Sequence, residues 1–374
     1  MGRIHKVKSL LITGIYPPDI GGPATFIDNF ADYLYRNSNE VEIVTLSDEL
    51  RQQNEASNRN VYRIKRDCFI LLRMLKTVVL LRKLIKESDY VLANGLYFET
   101  VLANFGIRKT IVAKIVGDPV WERFKNNSES ESTIEQFQNS KMPTRYFLLR
   151  KLYNEIFKQF RELITPGWEL AAIIENWDSK LSVRVIPNGV RCIEPKESDF
   201  SYDVIVLTRL VKWKNIDLLI KACAKANLSL AIGGDGPERR TLEIVAINSG
   251  AEVEFLGPIL PANTGRFLES GLIFCQISSY EGLSYSLLEA MMAGKRIVVS
   301  QIKANTDVTS SRTARIVDPN DERQLVGALK ELSIMNEQNS LMSMSAHAHA
   351  KKFYCGDKQM NQYLLDTECA KSQV

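Results

Sequence analysis

Leu272-Ile-Phe-Cys-Gln-Ile277-Ser-Ser-Tyr-Glu281-Gly-Leu-Ser-Tyr-Ser-Leu-Leu-Glu289-Ala-Met-Met-Ala-Gly294 decides the fold class. The stretch passes from a run that is apolar except for Gln276, through a polar turn, into residues with helical spacing. An apolar run without alternation is a strand buried on both faces, the kind found in parallel sheets covered by helices. The helix starts near Ser284 or Tyr285, which leaves Glu281 in the strand-to-helix turn and Glu289 inside the helix. Free backbone N–H groups at such a start attract a phosphate. A carboxylate slightly farther in can accept both hydroxyls of a ribose. Taken alone, the same two glutamates also fit a loop acid beside a helix start and a solvated helix residue.

The strand-turn-helix unit repeats outward in both directions. Apolar runs at 203–207, 228–232, 253–256 and 297–299 alternate with helical segments such as 216–226. In the first half, runs at 8–14, 41–45, 90–93 and 110–116 do the same, and Phe26, Ile27, Phe30 and Leu34 share one face of a helix over 24–35. Such alternation builds doubly wound parallel sheets. Composition resets at Ile186-Pro-Asn-Gly-Val190 and the charged run 194–199, and 374 residues are too many for one core. The expectation is an α/β protein of two Rossmann-like domains, 1–190 and 195–350, with a helical segment 351–374 packing back on the first. Ligands of such a pair bind in the cleft between the carboxyl ends of the two facing sheets.

Composition narrows the class further. A hydrophobic fraction of 45% and a charged fraction of 25% exclude disordered and fibrous chains. The formal charge of +4 alone says nothing about nucleic acid, because where the charge sits matters more than its total; no nucleic-acid partner is expected. The cysteines (Cys68, Cys192, Cys223, Cys275, Cys355 and Cys369) show no short pair spacing. They read as reduced, mostly buried thiols in a reducing compartment, not as a disulfide framework or zinc site. Residues 10–12 are too short for a signal-peptide core, and the apolar stretch 68–81 is interrupted by Arg73 and Lys76. No spanning helix and a cytoplasmic location are therefore expected. The polar stretch 126–140 reads as a mobile surface insertion.

Further motifs carry chemistry. Thr208-Arg209-Leu-Val-Lys-Trp-Lys214 follows the strand at 203–207. Arg209 as a bidentate donor and Lys214 as a point charge can clamp a diphosphate and neutralise it as it leaves; alone, they also fit solvated cations. Ala231-Ile-Gly233-Gly-Asp-Gly236-Pro lacks a full G-x-G-x-x-G and reads as a tight turn that lets backbone approach closely. In Pro17-Pro-Asp-Ile-Gly21-Gly22-Pro23, the two glycines either bring backbone amides to an anion or simply make a turn.

Together these motifs resemble glycosyltransferase family 4, the retaining GT-B enzymes of glycosyl transferases group 1, over nearly the whole chain. Thr165-Pro-Gly-Trp168, Val185-Ile-Pro-Asn-Gly-Val190, Arg209 with Lys214, the glycine turn, Phe255-Leu-Gly257 and the Glu281/Glu289 pair stand in that family's order and spacing. The resemblance implies transfer of a sugar from a UDP- or GDP-linked donor to a glycan or lipid-linked acceptor, in cell-surface polysaccharide or glycolipid synthesis. It assigns the donor diphosphate to Arg209, Lys214, Gly21 and Gly22, and the ribose to Glu289. Glu281 takes the hydroxyls of the transferred sugar, beside Gly282, Leu283 and Ser284. The base lies near Phe255, Leu256, Gly257 and Pro258. No metal or cofactor is implied, because cations and helix dipoles take that place.

Two departures from the family pattern matter. Val116 stands where many members carry a histidine, and the histidines present are His5, His347 and His349, the last two read as surface residues. No histidine base is then available, and a front-face retaining reaction needs none. Asp118 orients the acceptor or sugar, or caps the following turn. Lys295 replaces a frequent proline, and the loop 302–313 lacks the usual glycines. A nucleotide-sugar epimerase or hydrolase of the same fold, or a non-catalytic nucleotide-sugar-binding protein, are the competing readings. The missing base counts against the former, and the complete set Arg209, Lys214, Glu281 and Glu289 against the latter.

On the acceptor side, 68–86 places Arg73, Lys76, Arg82, Lys83 and Lys86 among leucines. Residues 141–161 mix Lys141, Arg145, Arg150, Lys151, Lys158 and Arg161 with Tyr146, Phe147, Tyr153, Phe157 and Phe160. Each segment fits either a core-facing helix with a solvated basic face or a basic amphipathic helix resting on anionic lipid. The second reading places the protein at the inner face of the plasma membrane.

Overall fold

Every strand ladder described in the molecule is parallel, in line with the doubly wound sheets expected from the strand–helix alternation. The structure is a computed structural model that describes residues 7–48, 59–127, 134–140, 142–195 and 200–364. The chain forms two units, Met1–Pro187 with Met360–Val374, and Asn188–Gln359. Each contains one parallel sheet with its connecting helices, so the α/β class is as the alternation predicts.

The first unit runs β1 (Lys8–Thr13), α1 (Gly22–Arg36), β2 (Glu40–Ser47), β3 (Asn60–Lys65), α2 (Ile70–Glu87), β4 (Tyr90–Asn94), α3 (Tyr97–Asn104), β5 (Val112–Lys114), α4 (Pro119–Asn127), α5 (Ile134–Asn139), α6 (Thr144–Phe157), β6 (Glu162–Thr165), α7 (Trp168–Glu175) and β7 (Val183–Val185). Its sheet order is β3-β2-β1-β4-β5-β6-β7. Leu10, Ile12, Val44, Leu81, Ile85 and Val91 lie in the core between sheet and helices. Strands β3, β6 and β7 are not anticipated by the apolar runs. Strand β3 is mostly half-exposed and carries Arg63, so no such run marks it. Its arginine guanidinium donates to the Pro17 carbonyl at 2.8 Å, and Arg66 pairs with Asp19 at 2.6 Å. These contacts hold the loop that leads to Gly21 and Gly22.

Two expectations need correction here. The polar stretch 126–140 is not simply a surface insertion. Residues 128–133 lie outside the described part, but α5 buries Ile134 and Phe137, and Phe137 stacks on Phe124 at 4.7 Å. The high count of polar residues hid two well-placed apolar ones. The second correction concerns the cysteines. Cys192 and Cys355 form a disulfide, with Cα atoms 5.5 Å apart, within the usual range for bridging. Val190 pairs with Cys355 as an isolated bridge and brings the two together across 163 residues, a separation that no spacing rule detects. Cys223 and Cys275 are free and buried, Cys68 is free and half-buried, and Cys369 lies outside the described residues. The cysteine pattern thus no longer argues for a reducing compartment.

The second unit runs β8 (Tyr202–Leu207), α8 (Ile216–Ala226), β9 (Leu230–Gly233), α9 (Arg239–Ser249), β10 (Val253–Gly257), α10 (Thr264–Glu269), β11 (Gly271–Gln276), α11 (Tyr285–Met292), β12 (Arg296–Ser300), α12 (Lys303–Thr306), β13 (Arg315–Val317), α13 (Glu322–Ser333), α14 (Glu337–Phe353) and α15 (Gly356–Asn361). Its sheet order is β10-β9-β8-β11-β12-β13. Val204, Val206, Ile232, Ile273, Cys275 and Val298 form the sheet side of its core. Asp321 and Asn336 cap α13 and α14 by accepting from backbone amides. His347 is not a free surface residue; its ring contacts the Met292 carbonyl at 2.6 Å.

The chain returns to the first unit at Met360. There the Lys114 ammonium lies fully buried, 2.8 Å from the Tyr363 hydroxyl and 3.6 Å from the Phe26 ring centroid. Burial pulls this amine well below the ordinary lysine value. Among the described residues, no helix is long and apolar enough to cross a membrane.

Candidate active site

The carboxyl end of the second unit's sheet gathers three of the motifs that the sequence holds far apart. Strands β8 and β11 are neighbours, so the loop after β8 meets the turn after β11. A 3-10 turn, Lys212–Lys214, follows β8. The Ser279 amide donates to the Trp213 carbonyl at 2.8 Å and stitches this turn to the β11 loop. Asn215, in the left-handed region at φ 52°, starts α8 and donates its side-chain amide to the carbonyls of Ile277 and Pro319. The position of Lys214 is therefore set from both sides.

Lys214 and Glu281 form an ion pair at 2.5 Å, with both side chains mostly shielded from water. The Ser278 hydroxyl donates to the same carboxylate oxygen at 2.7 Å. Ser278 is in turn held by the Ser300 hydroxyl, which donates to its carbonyl at 2.5 Å. A narrow crevice at this edge is lined by Thr208, Lys214, Ile277 and Ser278, among others. Arg209 is exposed, and among the described residues no carboxylate pairs with it.

The glycine turn explains how Arg209 is placed. Backbone bonds link Thr208 to Gly233 and Leu210 to Asp235, each at 2.9 Å. A Cβ on Gly234 would stand 1.8 Å from the Thr208 carbonyl oxygen, and one on Gly236 would stand 2.3 Å from that of Leu210. Close backbone approach is indeed the purpose of these glycines, and the neighbour is the loop that carries Arg209. The Gly234 amide also donates to Gly257 at 2.7 Å, tying in the end of β10. There Phe255 is half-buried, Leu256 and Pro258 are exposed and Gly257 is buried.

Helix α11 begins at an N-cap, Ser284, whose hydroxyl accepts from the Leu287 amide. Gly282 and Ser284 are half-buried, Leu283 is buried, and the Leu283 carbonyl accepts from Asn188 at 2.8 Å. Glu289 lies one turn after Tyr285 on the same face. Its carboxylate accepts no hydrogen bond from any described residue. Desolvation pushes it from 4.5 to about 7. An unpaired, desolvated carboxylate is poorly stabilised by the protein itself and suited to a ligand that donates hydrogen bonds.

The first unit presents a different edge. Gly21 is the N-cap of α1 and offers no side-chain cap, and Gly22 opens the helix. The Asp118 carboxylate is fully buried and committed to its own surroundings. It accepts from the amides of Val120 and Trp121, at 2.8 and 3.0 Å, and from the Gln138 side chain at 2.6 Å. Of the two roles open for it in the sequence, the cap is the one visible here. Burial raises its carboxyl above the ordinary range despite these bonds. Asn94, at the end of β4, is 3% exposed, and neither of its side-chain polar atoms has a hydrogen-bond partner among the described residues. Nothing in the sequence singles out Asn94; only its burial does.

Residues 194–349 match the family of glycosyl transferases group 1. An uncharacterized glycosyltransferase of Methanocaldococcus jannaschii is 24% identical over 329 residues, covering 79% of this chain and 81% of that protein. The lipopolysaccharide core biosynthesis glycosyltransferase LpsD of Rhizobium meliloti is 30% identical over 181 residues, 45% of this chain and 52% of that one. Among solved structures, Anabaena HepE in complex with UDP and glucose superposes with a TM-score of 0.78 at 17% identity, over 97% of this chain and all of that one.

Proposed function

We propose that the protein, whose residues 194–349 match glycosyl transferases group 1 and whose fold is GT-B, is a retaining hexosyltransferase. It takes its sugar from a UDP- or GDP-linked donor and gives it to a glycan or lipid-linked acceptor in cell-surface polysaccharide or glycolipid synthesis. The observation that carries the reading is the unpaired Glu289 carboxylate, on the sheet edge that also holds the Lys214–Glu281 pair.

In this reading the donor diphosphate lies against Arg209 and Lys214. Glu289 accepts from the ribose hydroxyls, and the base rests near Phe255 to Pro258. The Lys214 ammonium exchanges part of its contact with Glu281 for phosphate oxygen. That exchange frees the Glu281 carboxylate for the hydroxyls of the sugar, beside Gly282, Leu283 and Ser284. Transfer breaks the bond from the anomeric carbon to phosphate and forms the acceptor bond on the same face. The leaving phosphate oxygen takes the acceptor proton. Arg209, Lys214 and the positive end of α11 stabilise the negative charge that develops, so this task falls to the protein rather than to a metal. Asp118 acts as a positioning residue by fixing the start of α4.

A panel of UDP- and GDP-sugars tests this directly. One donor is expected to raise the melting temperature by several degrees and, with an acceptor, to release nucleoside diphosphate and a product of retained anomeric configuration. Lys214→Ala should lose both effects. A panel in which no nucleotide or nucleotide sugar stabilises the protein overturns the reading.

A further inference from the structure

Helix α2 is anchored by Thr77, Leu81, Leu84 and Ile85, none of them in its opening turns. None of residues 70–76 is fully buried; Arg73 and Met74 are half-buried, and Arg73 donates to the Arg66 carbonyl at 3.0 Å. Phe69, just before the helix, and Ile70, Leu71, Leu72, Leu75 and Val79 are each between 46% and 73% exposed. At 100° per residue, Leu72, Leu75 and Val79 point directly away from the buried stripe, where the helix of a water-surrounded protein carries polar groups. The same outward face continues with Lys76, Lys83 and Lys86, all exposed. None of the three pairs with a carboxylate among the described residues. Arg82 donates to the carbonyls of Ala103 and Phe105, which brings Phe105, 83% exposed, to the side of the patch. Of the nearby acids, Asp67 is exposed at the helix entry, and Glu87 is paired with Lys8.

The second basic segment, α6, is tied to its unit at both ends. It buries Tyr146 in its opening turn and Asn154, Ile156 and Phe157 in its last, and just beyond it Lys158 is paired with Asp178 at 2.7 Å. Between these anchors Phe147, Leu148 and Leu152 are 39%, 58% and 48% exposed, so α6 packs along only part of its length.

We propose that the outward face of α2 docks on an anionic lipid bilayer. Leu71, Leu72, Leu75 and Val79 enter the headgroup boundary, and Lys76, Lys83 and Lys86 contact lipid phosphates. A bilayer interface satisfies both halves of this face at once, because apolar side chains sink while long lysine stems reach back to the headgroups. A protein partner fits less well, since lysine is depleted from the buried centres of protein interfaces. The inference stands on α2 alone and does not depend on the donor-site reading.

The test is flotation of the full chain with phosphatidylglycerol vesicles and with phosphatidylcholine vesicles. Retention is expected on the first at low salt and should fall with added salt. The triple variant Lys76→Glu/Lys83→Glu/Lys86→Glu should lower retention about tenfold or more. Leu72→Ser/Leu75→Ser/Val79→Ser should abolish the part that survives high salt. Both variants should melt like the parent, because the changed side chains are exposed. Absence of retention on anionic vesicles overturns the proposal, as does retention that neither variant alters. A concentration-dependent dimer that dissociates in the leucine variant also overturns it, and assigns the face to a second copy. Donor-induced stabilisation is read separately, so the two proposals fail independently.

Discussion

The two sheets are built to the same plan, yet their carboxyl edges hold opposite kinds of polar chemistry. In the second unit the edge is charged: Lys214 and Glu281 face each other across two loops, and Glu289 stands without a partner among the described residues. In the first unit the charge at Asp118 is absorbed by backbone amides and Gln138, and the unpartnered group is the neutral amide of Asn94. A parallel sheet sets where loops gather but not what they carry. The charged edge suits a phosphorylated ligand. The neutral one shapes its surroundings.

Removing charge from the second edge should have the largest effect. Lys214→Ala and Glu289→Ala are each expected to lower transfer about 100-fold or more, the scale for losing a preorganised electrostatic contact, with the variants still folded at the assay temperature; Lys214→Ala should melt lower because it strands Glu281, and Glu289→Ala should not. Steady-state assays beside thermal melts check this. Activity within a few-fold of the parent would break the contrast between the edges.

The pH dependence of stability sharpens the same contrast. The Glu289 carboxyl rises from 4.5 to about 7 on folding. Between those values the folded chain keeps a proton that the unfolded chain has released. Stability from this group therefore falls as pH rises through the window and levels off above it. The full shift corresponds to about 3 kcal/mol, and the measured slope should be smaller because the side chain is only half-buried. Urea unfolding across that range reads the slope, which Glu289→Gln should flatten.

Smaller effects are expected at the first edge. Asp118→Ala removes the cap of α4 and should cost about 1–2 kcal/mol in urea unfolding. The smallest change belongs to Asn94→Ala, which removes a buried amide that satisfies nothing; it should be neutral or stabilise by up to about 1 kcal/mol. If that variant instead destabilises strongly, Asn94 has a structural partner, and the edges are more alike than described.

Much of this was legible residue by residue. The runs 8–14, 90–93 and 272–277 announced buried parallel strands because a strand covered on both faces cannot alternate. Arg209, Lys214 and Glu281 stood out because each follows a strand end, where loops collect, and Glu289 because it lies just inside the helix that comes next. Strand β3 was hidden, since an edge strand with a half-exposed arginine has no apolar run. The apolar contacts of α5 were hidden by its polar neighbours.

The sequence by itself determined the period of each element and the residue types at each strand end, because those depend only on local spacing and side-chain chemistry. Tertiary structure decided every partnership. The pairing of β8 with β11 brought Lys214 to Glu281, and the Val190–Cys355 bridge brought Cys192 to Cys355. It also decided that α2 has no fully buried side chain before Thr77 while α6 buries Tyr146 in its opening turn, a difference that two similar basic and apolar stretches could not reveal. Burial is a property of what the rest of the chain leaves uncovered, and no local pattern contains it.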